Sequence, residues 1–209
     1  MTKKQIAAAA VERLKERYPE GICSLVADDP FRLLVAVRLS AQCTDARVNL
    51  VTPALFERFP DMAAFAAAEP ADVEPYIRSC GFYKMKAQDI VMAARMLMDE
   101  YGGVIPQTVE EMTRLPGVGR KTANLICGDV YGVEGVVVAD THCIRISNRL
   151  GLCETKDPYK VELALRALLP PAESNDFCHR LVLFGRDVCT ARSPKCDACP
   201  LADVCRRRL

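Results

Sequence analysis

Long apolar runs are missing from this 209-residue chain: no stretch approaches the roughly 18 consecutive apolar residues of a membrane span. A surplus of either charge is missing too. Lys+Arg 28 against Asp+Glu 27 leaves a net charge of +1, which excludes a protein that holds DNA by bulk charge and requires any nucleic-acid site to be local. The first residues, Met1-Thr2-Lys3-Lys4-Gln5-Ile6, lead into alanines and then Glu12 and Glu16 rather than into an apolar signal core, so a cytoplasmic protein without membrane partners is expected. Internal repeats, low-complexity tracts and long polar linkers are also absent. Two domains, if present, would therefore share an extensive interface, with the chain free to cross between them more than once. What is present, 50% hydrophobic and 26% charged residues, suffices to bury the core of one or two globular domains.

Strand-like sequence is confined to Val136-Val137-Val138, whereas windows rich in Ala, Leu, Met, Glu and Arg, separated by Pro or Gly, recur from end to end. The fold class is therefore all-α. Helices are predicted over 3–18, about 30–40, 44–58, 62–68, 70–79, 84–101, 108–114, 120–131, 141–150, 158–168 and 173–185. Several have physical starts or stops. Thr108-Val109-Glu110-Glu111 fits a capping box, Pro116 follows the helix it ends, and Gly151 can take the left-handed conformation after Leu150. Pro53 removes an internal hydrogen bond from helix 44–58 and predicts a kink or a late start. Asp140, between an apolar run and helix 141–150, suits an N-cap.

Cysteine is abundant and odd in number, eleven residues, which in a chain without an export signal argues against a disulfide framework. Cys23, Cys43, Cys80, Cys127, Cys143, Cys153 and Cys178 stand singly among apolar neighbours and read as small core hydrophobes. Cys189, Cys196, Cys199 and Cys205 instead fall within 17 residues, with Pro194 and Pro200 enforcing tight loops. Thiolate-only ligation suits Zn²⁺ or an iron–sulfur cluster. Zinc ribbons pair two short C-x₂₋₄-C knuckles, and here only Cys196 and Cys199 form one, so the spacing favours a 4Fe–4S cluster over zinc or unliganded thiols.

A second signal is Leu115-Pro116-Gly117-Val118-Gly119-Arg120-Lys121-Thr122-Ala123-Asn124. A helix ending at Pro116, a two-glycine turn and a new helix near Arg120 give a helix-hairpin-helix. Exposed amides of Gly117, Val118 and Gly119 and the positive end of the second helix would form a cradle for a phosphate, which binds DNA without reading its sequence. A plain turn in a helical bundle is the alternative reading of the glycines.

This stretch, Val138-Ala139-Asp140-Thr141-His142, the four-cysteine tail, Leu39-Ser40-Ala41-Gln42-Cys43-Thr44-Asp45 and Gly81-Phe82-Tyr83-Lys84 together resemble the endonuclease III family of the helix-hairpin-helix superfamily, bifunctional DNA glycosylases and AP lyases. The resemblance spans nearly the whole chain. It implies two helical domains, a six-helix barrel with the hairpin over 22–133 and an iron–sulfur domain of 1–21 with 134–209, with DNA lying in the groove between them. It implies removal of oxidised pyrimidines from double-stranded DNA by a monomer that also acts on abasic sites, nucleoid-associated if the source is bacterial.

By the same resemblance Lys121 is the nucleophile. An amine that attacks a sugar carbon must be neutral, and Arg120, the helix N-terminus and a partly desolvated groove would all disfavour its ammonium form; helix position alone, without the flanking motif, would favour a solvated lysine touching a phosphate. Asp140 becomes the catalytic carboxylate beside its capping role. Gln42 would fill the space of an extruded base and Phe82, where the family more often has leucine, would wedge the opposite strand; otherwise Phe82 is a core aromatic beside Tyr83. Arg186, Arg192 and Lys195, in or before the loop between the first two cluster cysteines, could meet phosphates, whereas Arg206-Arg207-Arg208 reads equally as a solvated tail. His142 reads as a structural hydrogen-bonding residue, and His179 has no predicted partner. The alternatives are a monofunctional adenine or mismatch-thymine glycosylase, which typically lacks a lysine at the position of Lys121, and a non-catalytic iron–sulfur DNA-binding protein. The adenine enzymes also carry a further C-terminal domain, whereas this sequence stops four residues past Cys205.

Overall fold

Every predicted helix forms, and most begin where a short polar side chain takes up free amides of the first turn. The computed structural model describes residues 1–207, and among these there is no strand. α1 (Lys3–Arg17) starts at a capping box between Thr2 and Gln5. α2 (Pro30–Ser40) starts at Asp29, α3 (Asp45–Arg58) at Thr44 and α4 (Met62–Ala67) at Asp61, each accepting from first-turn amides. There follow α5 (Pro70–Ile77), α6 (Tyr83–Tyr101), α7 (Val109–Met112), α8 (Arg120–Tyr131), α9 (Thr141–Leu150), α10 (Pro158–Arg166) and α11 (Ser174–Asp187). No helix among the described residues is long and apolar enough to cross a membrane.

Two local expectations change, at Thr108 and among the cysteines, and one alternative, at Pro53, is excluded. Thr108 does cap α7 by accepting from the Glu111 amide, but the Glu111 carboxylate takes the Thr108 hydroxyl proton rather than a backbone N–H. Pro53 lies inside α3, which starts at Asp45, so there is no late start. Val136-Val137-Val138 is buried without forming a strand, in keeping with the all-α reading. Of the seven scattered cysteines, Cys23 and Cys43 are only half-buried, while the other five are core residues.

The chain forms two units, Ser24–Tyr131 and a second made of Met1–Cys23 with the chain from Gly132 onward. In the first, α6 packs on α4 and α5, α2 on α3 and α8, and α7 on α8. Phe65 anchors its core, with the rings of Phe59, Phe31 and Phe56 at 5.0, 5.5 and 6.4 Å; aromatic pairs of this kind add about 0.5–1.5 kcal/mol each beyond burial. In the second, α11 packs on α1 and α9, and α10 on α9, burying Ile6, Leu14, Ile146, Leu165, Phe177 and Phe184. Arg180 on α11 is buried and donates to the Tyr18 and Pro19 carbonyls, tying the end of α1 to α11.

Candidate functional site

In the Ser24–Tyr131 unit, the segment between α7 and α8 is the predicted hairpin. Leu115 and Val118 are buried beneath it, and the Val118 amide donates to the Leu115 carbonyl at 3.1 Å. Val118 is thus turned inward and has no N–H to offer a phosphate. Gly117 has φ 71°, and a Cβ there would stand 2.6 Å from Arg38 Nε and 2.7 Å from Asp89 Cβ. Those two side chains form an ion pair, Arg38 donating to Asp89 Oδ2 at 2.5 and 2.8 Å. Gly119 is exposed with nothing within 4 Å of a Cβ, so the open cradle is Gly119 and the first turn of α8, whose leading amides have no partner inside the helix. Lys121 lies in that turn and is exposed. The expected partial desolvation of its amine is therefore not supplied by the protein's own packing.

Gln42 and Phe82 sit in the same unit, both exposed, Phe82 at 62%. Phe82 is thus not a core aromatic. Both have left-handed backbones, φ 53° and 47°, a conformation uncommon for non-glycine residues. The sequence reading missed Lys86, buried among them, whose Nζ donates to the carbonyls of Leu39, Ala41 and Cys80. Burial pushes its ammonium below the usual lysine range, against the raising effect of Cys43 and Cys80. Cys80 itself is pushed up to about 11, first by burial and then by the neighbouring Cys43 thiol.

Asp140, in the second unit, caps α9: its Oδ1 accepts from the Cys143 amide at 2.7 Å and its carbonyl from Ile144 at 2.9 Å. It is half-buried. Gly151 closes the same helix in a left-handed conformation, with the Leu152 amide reaching back to Ser147. His142 stands 3.2 Å from Arg145 Nη2.

The second unit also brings Cys189, Cys196, Cys199 and Cys205 into the lining of one pocket, shared with Ile146, Leu150, Phe184, Val188 and Leu201. Burial raises Cys199 and Cys205, and the nearness of the other cluster cysteines raises them further. Among the described residues no group of three or more His, Cys, Asp or Glu is placed to hold a metal ion. The four thiols share the lining of one pocket, and thiolate-only ligation suits an iron–sulfur cluster. N–H groups of Leu201, Arg207 and Arg149 point at the sulfurs of Cys199, Cys205 and Cys189, each at 3.4 Å, the arrangement that stabilises cluster thiolates. Arg149 also donates to the Thr190 and Ala191 carbonyls and Arg145 to that of Cys189, fixing the start of the loop between the first two cysteines. Arg186, Arg192 and Lys195 are exposed there, with Lys195 Nζ 3.9 Å from Asp187 Oδ1. Arg208 lies outside the described residues.

Two family models match the chain. Residues 35–171 match the HhH-GPD superfamily of base excision DNA repair proteins, and residues 189–205 match the iron–sulfur binding domain of endonuclease III. The endonuclease III proteins of Synechocystis sp. and Bacillus subtilis are 45% and 42% identical, covering 98% and 94% of this chain and 93% and 90% of their own lengths. A solved structure of a trapped endonuclease III–DNA covalent intermediate superposes with a TM-score of 0.92 at 42% identity, covering 99% of this chain and 97% of that one. The cysteine pocket is accordingly the seat of a 4Fe–4S cluster, and the chain belongs to the endonuclease III family of helix-hairpin-helix base excision DNA repair proteins.

Proposed function

We propose that this chain is a base excision repair glycosylase with AP lyase activity, acting as a monomer in the cytoplasm on oxidised pyrimidines and abasic sites in duplex DNA. The observation that carries the reading is the near-full-length match to an enzyme captured covalently on DNA, in a chain that presents an exposed lysine, Lys121, on the first turn of the hairpin's second helix. Gly119 and the α8 amides bind a backbone phosphate. Gln42 and Phe82 enter the duplex from their left-handed turns, Gln42 filling the space left by the extruded base and Phe82 wedging the opposite strand. Arg186, at the end of α11, and Arg192 and Lys195, in the loop after it, add phosphate contacts.

With the base extruded, Lys121 Nζ forms a bond to C1′ as the bond from C1′ to the base breaks, the base leaving with its electron pair and a proton. The C1′–O4′ bond then opens to give an imine. Loss of a C2′ proton expels the 3′ phosphate, cutting the strand, and water finally hydrolyses the imine to release the amine. Asp140 stabilises positive charge developing at C1′ and moves protons to and from the Lys121 amine. The cluster supplies structural order to the loop that its cysteines bracket; no step of the chemistry passes through it.

Borohydride reduction tests this, because it converts an imine to a stable amine. Wild-type protein should become covalently attached to DNA carrying an abasic site or oxidised pyrimidine. Lys121→Ala should bind but not be trapped. Full trapping by Lys121→Ala would move the nucleophile to another amine, such as Lys84 or the N-terminus, and base release without strand cleavage by the wild type would mark a monofunctional glycosylase.

A further inference from the structure

Lys86, in the first turn of α6, is 1% exposed, although no step of base removal calls for a buried cation there. Its Nζ donates to the carbonyls of Leu39 at 2.7 Å, Ala41 at 2.7 Å and Cys80 at 2.6 Å. An ammonium has three donors and no acceptor, so all of its hydrogen-bonding capacity is used. The acceptors are the closing carbonyls of α2 and of the 3₁₀ turn Arg78–Cys80. Such groups lack partners within their own helices and carry the negative end of the helix dipole. Two helix ends thus converge on one cation.

What the chain does next gives the arrangement its meaning. The Ala41 carbonyl belongs to the peptide group shared with Gln42, and the Cys80 carbonyl to that shared with Gly81, the residue before Phe82. The main-chain N–H of Lys86 donates to the Phe82 carbonyl at 3.0 Å, so one residue grips this segment twice. The two segments also lie side by side, since a Cβ on Gly81 would stand 4.0 Å from the Gln42 carbonyl oxygen. Left-handed turns at non-glycine residues, here φ 53° and 47°, persist only where the surroundings over-determine them.

We propose that Lys86 is a positioning residue: by binding the Leu39, Ala41 and Cys80 carbonyls it holds Gln42 and Phe82 ready to enter the duplex, so that little ordering remains when DNA arrives. The inference rests on the reading that Gln42 and Phe82 are inserted side chains. Lys86 itself touches neither DNA nor the reacting atoms.

The test uses duplexes with 2-aminopurine opposite the lesion, whose fluorescence reports unstacking, and compares Lys86→Met, Lys86→Arg and a Gln42→Ala/Phe82→Ala variant. Lys86→Met should bind undamaged duplex about as well as wild type while losing the fluorescence rise and about 10- to 100-fold in kcat/KM on damaged duplex, the penalty of misplaced groups. Lys86→Arg, which retains charge and donors, should recover part of both. Added to the Gln42→Ala/Phe82→Ala variant, Lys86→Met should cost little more, because groups that act as a unit are non-additive. Wild-type extrusion and rate in Lys86→Met, or a loss that adds in full to the double variant, overturns the inference while leaving the insertion reading intact. Wild-type behaviour of the double variant removes both. If Lys86→Met does not fold, NMR of the ¹⁵N-labelled lysines in wild type decides: the Lys86 ammonium protons should be protected from exchange, and exchange as fast as that of surface lysines overturns the proposal.

Discussion

Gly117 and Gly119 flank one buried valine, yet alanine at the two positions should give opposite results. At Gly117 an alanine would have to take a left-handed backbone, φ 71°, at a cost of about 1–2 kcal/mol. Its Cβ would also fall 2.6 Å from Arg38 Nε, displacing the Arg38–Asp89 pair, whose side chains are only 13% and 22% exposed. Weakening that charged hydrogen bond adds about 1–3 kcal/mol, so Gly117→Ala should lose about 2–5 kcal/mol and melt roughly 4–20 °C lower, at about 2–4 °C per kcal/mol for a chain of this size. At Gly119 no atom stands within 4 Å, and exchanging glycine for alanine at a helix N-cap costs less than about 1 kcal/mol. The Gly119 methyl instead occupies the path of the phosphate. Losing one hydrogen bond to a charged group, about 1.5–3 kcal/mol, weakens DNA binding roughly 10- to 150-fold. The slope of log affinity against log salt should hardly move, because no Lys or Arg is removed. Thermal melting and fluorescence anisotropy over a salt series read both effects. Gly119→Ala binding DNA like wild type, or melting as low as Gly117→Ala, would refute the assignment of the cradle to Gly119.

Asp140→Asn should melt within a degree or two of wild type, because asparagine caps as well as aspartate, whereas Asp140→Ala should lose about 1 kcal/mol of cap stability; both should bind DNA and react far more slowly in single-turnover assays, separating the cap from the chemistry. The purified protein should be yellow-brown, with absorbance near 400 nm and about four iron atoms per chain as expected of four-thiolate clusters, and Cys199→Ser should lose iron and the order of the C-terminal segment together. Arg149→Ala removes donors to Cys189 Sγ and to the Thr190 and Ala191 carbonyls, so it should shed iron faster on dialysis and weaken DNA binding; unchanged iron retention and affinity would leave Arg149 a surface residue.

Helix positions were legible because their determinants are local. Thr2, Asp29, Thr44, Asp61 and Asp140 each cap the helix that follows, and the four clustered cysteines advertise their centre within a short window. What escaped depends on long separations. The Arg38–Asp89 pair under Gly117 joins residues 51 positions apart, and Lys86 meets Leu39 across 47. A signal for Lys86 did exist: it falls on the buried face of α6 with Ala87, Ile90, Val91, Ala94 and Leu97, where a lysine needs partners to be tolerated. Val136-Val137-Val138, too short and too isolated to count against an all-α fold, is a buried segment without a strand, since β-branched residues suit any buried extended segment and become a strand only beside another.

The parts of this protein that would touch DNA are held by groups that would not. Each left-handed non-glycine residue costs about 1–3 kcal/mol, so Gln42 and Phe82 would relax if their flanking peptides were free to turn. A buried ammonium without partners is costlier still, several kcal/mol, and would not survive at the start of α6. Brought together, the two liabilities cancel: the helix-end carbonyls that need a donor surround the cation that needs acceptors. The same logic runs through the second unit, where Arg149 and Arg145 bind the carbonyls of the loop that carries Arg192 and Lys195. In both units a cation fixes main chain by its carbonyls, which leaves the exposed side chains of that main chain free to meet a ligand.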